Sequence, residues 1–146
     1  MALSQAKIEG APIMPYLQLD IPGRHAVDEK QRLARRFGDI FARIMQTRPE
    51  QVTVAIRDLG EGGVWRCGAC EPEPAALLMC DIRRGRSLEQ RAELAEALVA
   101  ACVEMLGLRS DRLAVDFTQH AGDEMYKTEL GGLGAEWTPH EAGTTK

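Results

Sequence analysis

The chain has 146 residues, 45% of them hydrophobic, with a formal net charge of −4 and a pI ≈ 5.4. That length supports one ordinary domain with a real core, and the acidic balance argues against nucleic acid or an anionic membrane as the main partner. No apolar run approaches the ~18 residues of a membrane span, and residues 1–13 lack the basic start and apolar stretch of a secretory signal. A cytoplasmic protein is therefore expected.

Residues 1–14 read as an N-terminal extension that ends at Met14. Pro15 then opens the alternating run Tyr16-Leu17-Gln18-Leu19-Asp20-Ile21, which predicts a strand over 15–21. A proline that begins a strand loses little by lacking an N–H. A proline with a free secondary amine is instead a base or nucleophile. While Met14 acylates it, that nitrogen is an amide and has no basicity.

The turn Pro22-Gly23-Arg24 follows the first strand. Leu33, Phe37, Phe41, Ile44 and Met45 then mark an amphipathic helix by their i, i+4, i+8, i+11, i+12 spacing, and a second strand is predicted over 52–58. Residues 60–75 form a Gly- and Pro-containing link. It holds Cys67-Gly68-Ala69-Cys70, a C-x-x-C that lacks both the second ligand pair of a zinc site and the following helix of a redox motif. A simple loop is the preferred reading of that motif, a thiol switch the weaker one, and no metal or cofactor is expected. Cys80 and Cys102 read as small buried hydrophobes.

The same pattern returns 61 residues later. Leu17, Leu19 and Ile21 recur as Leu78, Cys80 and Ile82; Leu33, Phe37, Phe41, Ile44 and Met45 recur as Leu94, Leu98, Cys102, Met105 and Leu106. Val52, Val54 and Ile56 recur as Leu113, Val115 and Phe117. Strands are thus predicted over 76–82 and 113–118, around the turn Arg83-Arg84-Gly85-Arg86 and a helix that Ser87 and Gln90 open as a capping box and Gly107 closes.

Each unit, 15–59 and 76–120, is a βαβ unit with parallel strands and a right-handed crossover. The expected fold is α/β (α+β): a four-stranded sheet with both helices on one face, in a single domain over 15–137. The alternation leaves apolar residues on the bare face, which an oligomer would cover. After Thr118 the chain turns polar and Gly-rich, and 138–146 reads as a flexible tail. His25 and His120 read as surface loop residues.

The Met-Pro start, the duplicated units and the Gly-Arg turns together resemble the tautomerase superfamily over roughly residues 14–137. The segment from Asp81 to Gln90 is similar to the fused-unit branch that includes cis-3-chloroacrylic acid dehalogenase and malonate semialdehyde decarboxylase, and 4-oxalocrotonate tautomerase looks like a single copy of the unit. The resemblance implies a homotrimer and gives the catalytic role to Pro15, once the preceding residues are removed. It assigns a small carboxylate substrate to an arginine clamp: Arg83 and Arg86 by one match, Arg84 and Arg86 by the other. Guanidinium groups suit such a site because they bind carboxylates in pairs and hold enolate charge.

Arg24 matches the Gly-Arg of the single-unit enzyme. Asp116, Glu124, Tyr126 and Trp137 are further candidates, either in the cleft or as ordinary surface and tail-anchoring groups. Positions that serve hydrolysis in the dehalogenase match Ala42, Asp116 and Lys127 here, so isomerisation of a 2-oxo or 2-hydroxy enoic acid is the preferred reading. A small-carboxylate binding module with a blocked Pro15, or a decarboxylase or hydratase of the same superfamily, is the alternative.

Overall fold

The two apolar stripes and the alternating strands condense into one layer of helices on one sheet. The structure, a computed structural model, describes residues 15–128 and 131–139; the 1–14 extension and most of the expected tail lie outside the described residues. In chain order the first unit supplies β1 (Tyr16–Ile21), α1 (Val27–Met45) and β2 (Thr53–Asp58), and the link folds as a short hairpin of β3 (Trp65–Arg66) and β4 (Glu73–Pro74). The second unit supplies β5 (Ala76–Arg83), α2 (Leu88–Leu106) and β6 (Leu113–His120), followed by a second hairpin of β7 (Tyr126–Lys127) and β8 (Gly132–Leu133).

The main sheet runs β2-β1-β5-β6. Within each unit the strands are parallel, and β1 meets β5 antiparallel with Tyr16 opposite Asp81 and Asp20 opposite Leu77. Leu17, Leu19 and Ile21 from β1 and Leu78, Cys80 and Ile82 from β5 pack against Leu33, Phe37 and Phe41 of α1 and Leu94, Leu98 and Cys102 of α2. The predicted capping box is present: the Gln90 amide donates to Ser87 Oγ (3.1 Å) and the Ser87 amide to Gln90 Oε1 (3.2 Å). Gly107 closes α2 with φ +67°, a left-handed conformation that an L side chain resists.

The opposite sheet face differs from expectation. By the alternation it carries Tyr16, Gln18, Asp20, Arg57, Asp81, Asp116 and Thr118, with Leu77 and Met79 among them. Arg57 pairs with Asp20 there at 2.5 and 2.8 Å. The bare face is therefore mainly polar, because the register sets charged and hydroxyl residues beside one another.

Each hairpin reaches to the other unit. Glu73 of β4 pairs with Arg112, and Lys127 of β7 donates to Gln51 Oε1 at 2.8 Å. Gln51 and Arg112 are equivalent positions in the 61-residue repeat. Among the described residues, no helix is long and apolar enough to cross a membrane.

Candidate functional site

The antiparallel register of β1 and β5 decides which predicted residues meet. One step beyond the Tyr16–Asp81 pair, Pro15 comes alongside Ile82 and the turn from Arg83 to Arg86. Pro15 is buried, and its carbonyl accepts the Thr53 amide at 3.0 Å. The C-terminal end of α1 closes the same edge, because a helix that follows a parallel strand returns to where that strand began.

The three arginines of the turn take distinct surroundings. Arg86 is 6% exposed and faces inward, donating to the carbonyls of Met45 and Arg83, each at 3.3 Å. Its charge thereby meets the C-terminal carbonyls of α1, the favourable end for a cation. Above it lies the Trp137 ring, with the guanidinium carbon 4.5 Å from the ring centroid. Arg83 is 3% exposed and donates to the Ala135 carbonyl at 2.9 Å. Arg84 reaches outward to Glu136 through two bonds, Nε to Oε2 at 3.2 Å and Nη2 to Oε1 at 3.1 Å. These hydrogen bonds, and then the Glu136 charge, raise the guanidinium pKa above its already high value.

Residues 135–137 therefore seat a carbonyl, a carboxylate and an aromatic ring on three successive arginines. Gly122 permits this: a Cβ there would overlap the Ala135 carbonyl oxygen, and its amide donates to Glu136 Oε1 at 3.1 Å. Gly85, at φ +117°, lets the turn pass beneath Trp137. Trp137 is thus an anchor of the C-terminal segment, whereas Tyr126 is 63% exposed.

Other candidates stand apart. Arg24 is exposed at the far end of β1, about 20 Å along the strand from Pro15 at ~3.3 Å per residue. Asp116 is exposed in mid-strand opposite Met79, and Glu124 caps the Ala121 amide at 2.8 Å. A cavity of ≈ 330 Å³ also lies at the far end, between Pro22, Ala75, Ala76, Leu108, Arg109 and Arg112. Arg109 there is paired with Asp111, and Arg112 with Glu73. The position equivalent to Pro15 at that end is Ala76, which has no amine to offer. The arginine turn is accordingly the candidate site on which the predicted residues converge.

Sequence reading missed a polar cluster beside this turn. His120 is the last residue of β6, opposite Arg83, rather than a surface loop residue. Its Nδ1 lies 3.0 Å from Asp81 Oδ1, which also accepts Thr118 Oγ1 at 2.8 Å. Asp81, Thr118 and His120 share one sheet face through the period of two, which was the available signal. His25 also leaves the surface role expected of it: with Lys30 it holds Asp58, at 3.1 and 3.0 Å. Among the described residues no three His, Cys, Asp or Glu side chains converge as a metal site.

No family model matches the sequence, and no curated protein matches it significantly. Solved structures do match. N1, a member of the cis-3-chloroacrylic acid dehalogenase family, superposes with a TM-score of 0.72 at 20% identity, over 83% of this chain and 84% of that one. A wild-type fused 4-OT, a symmetric trimer, gives 0.71 at 23% identity over 82% and 95%. The fold is that of the tautomerase superfamily. Pt0534, solved after inactivation by 2-oxo-3-pentynoate, shares this tautomerase fold with a TM-score of 0.69 at 22% identity, over 82% of this chain and 96% of that one.

Proposed function

We propose that this protein transfers a proton within a small 2-oxo or 2-hydroxy enoic acid, interconverting keto and enol forms. The observation that carries the reading is the β1–β5 register, which sets Pro15 against the Arg83–Arg86 turn. Once residues 1–14 are removed, the Pro15 nitrogen becomes a secondary amine. Burial and the positive charge of the neighbouring arginine turn would disfavour its cation and favour the neutral, basic amine. Arg84 and Arg83 take the substrate carboxylate in exchange for Glu136 and the Ala135 carbonyl, and Arg86 adds its charge from beneath. These charges also hold the negative oxygen of the enolate as the proton moves from one atom to another.

Two further observations support the reading. Arg84 already holds a carboxylate through two bonds, which is the geometry a substrate acid would adopt. A protein of the same fold is inactivated by 2-oxo-3-pentynoate, itself a small 2-oxo acid. A homotrimer is proposed with it, since a fused 4-OT of this fold forms a symmetric trimer. The test is ketonisation of phenylenolpyruvate by protein that begins at Pro15. Acceleration is expected; a rate equal to the buffer rate would refute the proposal.

A further inference from the structure

In the chain that retains Met14, Pro15 is an amide, and proton transfer needs another base. We propose that His120, held by Asp81, is that base. The substrate is the enoic acid of the proposal above, and the inference rests on that reading for it.

The geometry has the parts that a general base requires. Asp81 Oδ1 lies 3.0 Å from His120 Nδ1 and also accepts Thr118 Oγ1 at 2.8 Å. A carboxylate only accepts, so in the neutral ring the proton belongs on Nδ1 and the lone pair on Nε2. The carboxylate fixes the tautomer and the ring direction and stabilises the imidazolium when it forms. The imidazole is only 12% exposed. Its Nε2 is shielded from solvent and has no hydrogen-bond partner among the described residues. A buried polar atom left in this way has lost its water without a replacement, and a ligand hydroxyl would supply one.

The surroundings fit an acid substrate. Arg83 faces His120 across the β5–β6 pair, the Arg84 amide donates to the His120 carbonyl at 2.8 Å, and Glu124 caps the next amide. The carbonyl that engages Arg83 belongs to Ala135, which also packs on Gly122, two residues beyond His120. Displacing Ala135 thus removes one acceptor from the arginine beside the imidazole, and a substrate carboxylate can take that place. Nε2 then accepts the proton of the enol hydroxyl as the C2=O bond forms. The electron pair of the C2=C3 bond takes a proton from the imidazolium at C3, and His120 returns to its starting state. No other reactant is consumed.

The full 146-residue chain, the chain that begins at Pro15, and the His120→Gln and Asp81→Asn variants of the full chain are compared on phenylenolpyruvate. The full chain is expected to accelerate ketonisation, and His120→Gln to lower that rate about 10²- to 10⁴-fold. Asp81→Asn is expected to lower it less and to release the tautomer. Two-bond ¹H–¹⁵N spectra of the unmodified full chain supply a readout free of turnover. With three histidines in the sequence, His120→Gln identifies the resonance, and the neutral ring is expected as the Nδ1–H tautomer with a bare Nε2. A neutral ring protonated on Nε2, or a His120→Gln chain that keeps the full rate, would overturn the inference. Activity only in the form beginning at Pro15 would overturn it and leave the proposed function standing, whereas inactivity of both forms would overturn both.

Discussion

Replacing Trp137 with alanine should detach the C-terminal segment and leave the sheet intact. The indole is buried over Arg86 and Gly85, yet it lies outside the core cluster formed by the strands and helices. A buried tryptophan removes roughly 150–250 Å² from water, which at about 25 cal/mol per Å² is ~4–6 kcal/mol as an upper estimate. Its contact with the guanidinium adds about 1 kcal/mol. The described contacts that remain include the Arg83–Ala135 hydrogen bond, roughly 1.5–3 kcal/mol, the weak, exposed Arg84–Glu136 pair, and the Gly122–Glu136 and Gly134–Met125 hydrogen bonds. These cannot offset a backbone ordering cost of about 1–2 kcal/mol per residue along the segment. Native-state amide exchange reads the outcome. The Gly134 amide, bonded to the Met125 carbonyl, and the Gly122 amide, bonded to Glu136, should lose protection by about 10²- to 10³-fold. Amides of β1 and β5 should be unchanged. Equal loss throughout the sheet, or none at Gly122 and Gly134, would refute the view that Trp137 is a local anchor.

Asp58, 11% exposed, has a pKa that burial tends to raise, but hydrogen bonds from Lys30 and His25 prevail and hold it at about 2, below the ordinary 3.8. A pKa lowered by folding stabilises above the unfolded value, so this contribution should fade as pH drops from about 4 to 2. Asp58→Asn should remove that part of the acid-unfolding curve and cost about 2 kcal/mol near neutral pH by chemical denaturation; an unaltered acid limb would contradict the assignment. Gly122→Ala should undock the segment by overlap with Ala135, shifting Trp137 emission to the red, and an unshifted spectrum would show that the backbone gives way instead. Burial pushes the Cys80 and Cys102 thiols up to about 12, with Cys102 a second cause for Cys80, while Cys67 and Cys70 are exposed. Two thiols should react quickly in the native protein and four after unfolding, and a third fast thiol would count against this packing.

The scaffold was legible because one set of residues served two purposes. Leu17, Leu19 and Ile21 revealed a strand by their spacing, and their return as Leu78, Cys80 and Ile82 revealed the duplication. Ser87, Gln90 and Gly107 marked both ends of α2 because caps are local chemistry. The hairpins were not legible, since two-residue strands such as Trp65–Arg66 and Gly132–Leu133 are too short for a periodicity. Nor were the partners of the arginines: Arg84 meets Glu136 across 52 positions and His120 meets Asp81 across 39, and no local pattern encodes such contacts. The turn itself was found, but the sequence could not show that its three side chains would point inward, sideways and outward. The polar character of the open sheet face was likewise hidden until the register set Asp20 against Arg57.

The reciprocal hairpins make the two units mutually dependent. The first unit ends in the segment that carries Glu73 to Arg112, and the second ends in the segment that carries Lys127 to Gln51. Cutting the chain between Pro74 and Ala76 would leave each fragment holding the clasp for the other's open end and lacking its own. The halves are related as two hands in a handshake, alike in pattern and each holding what the other needs.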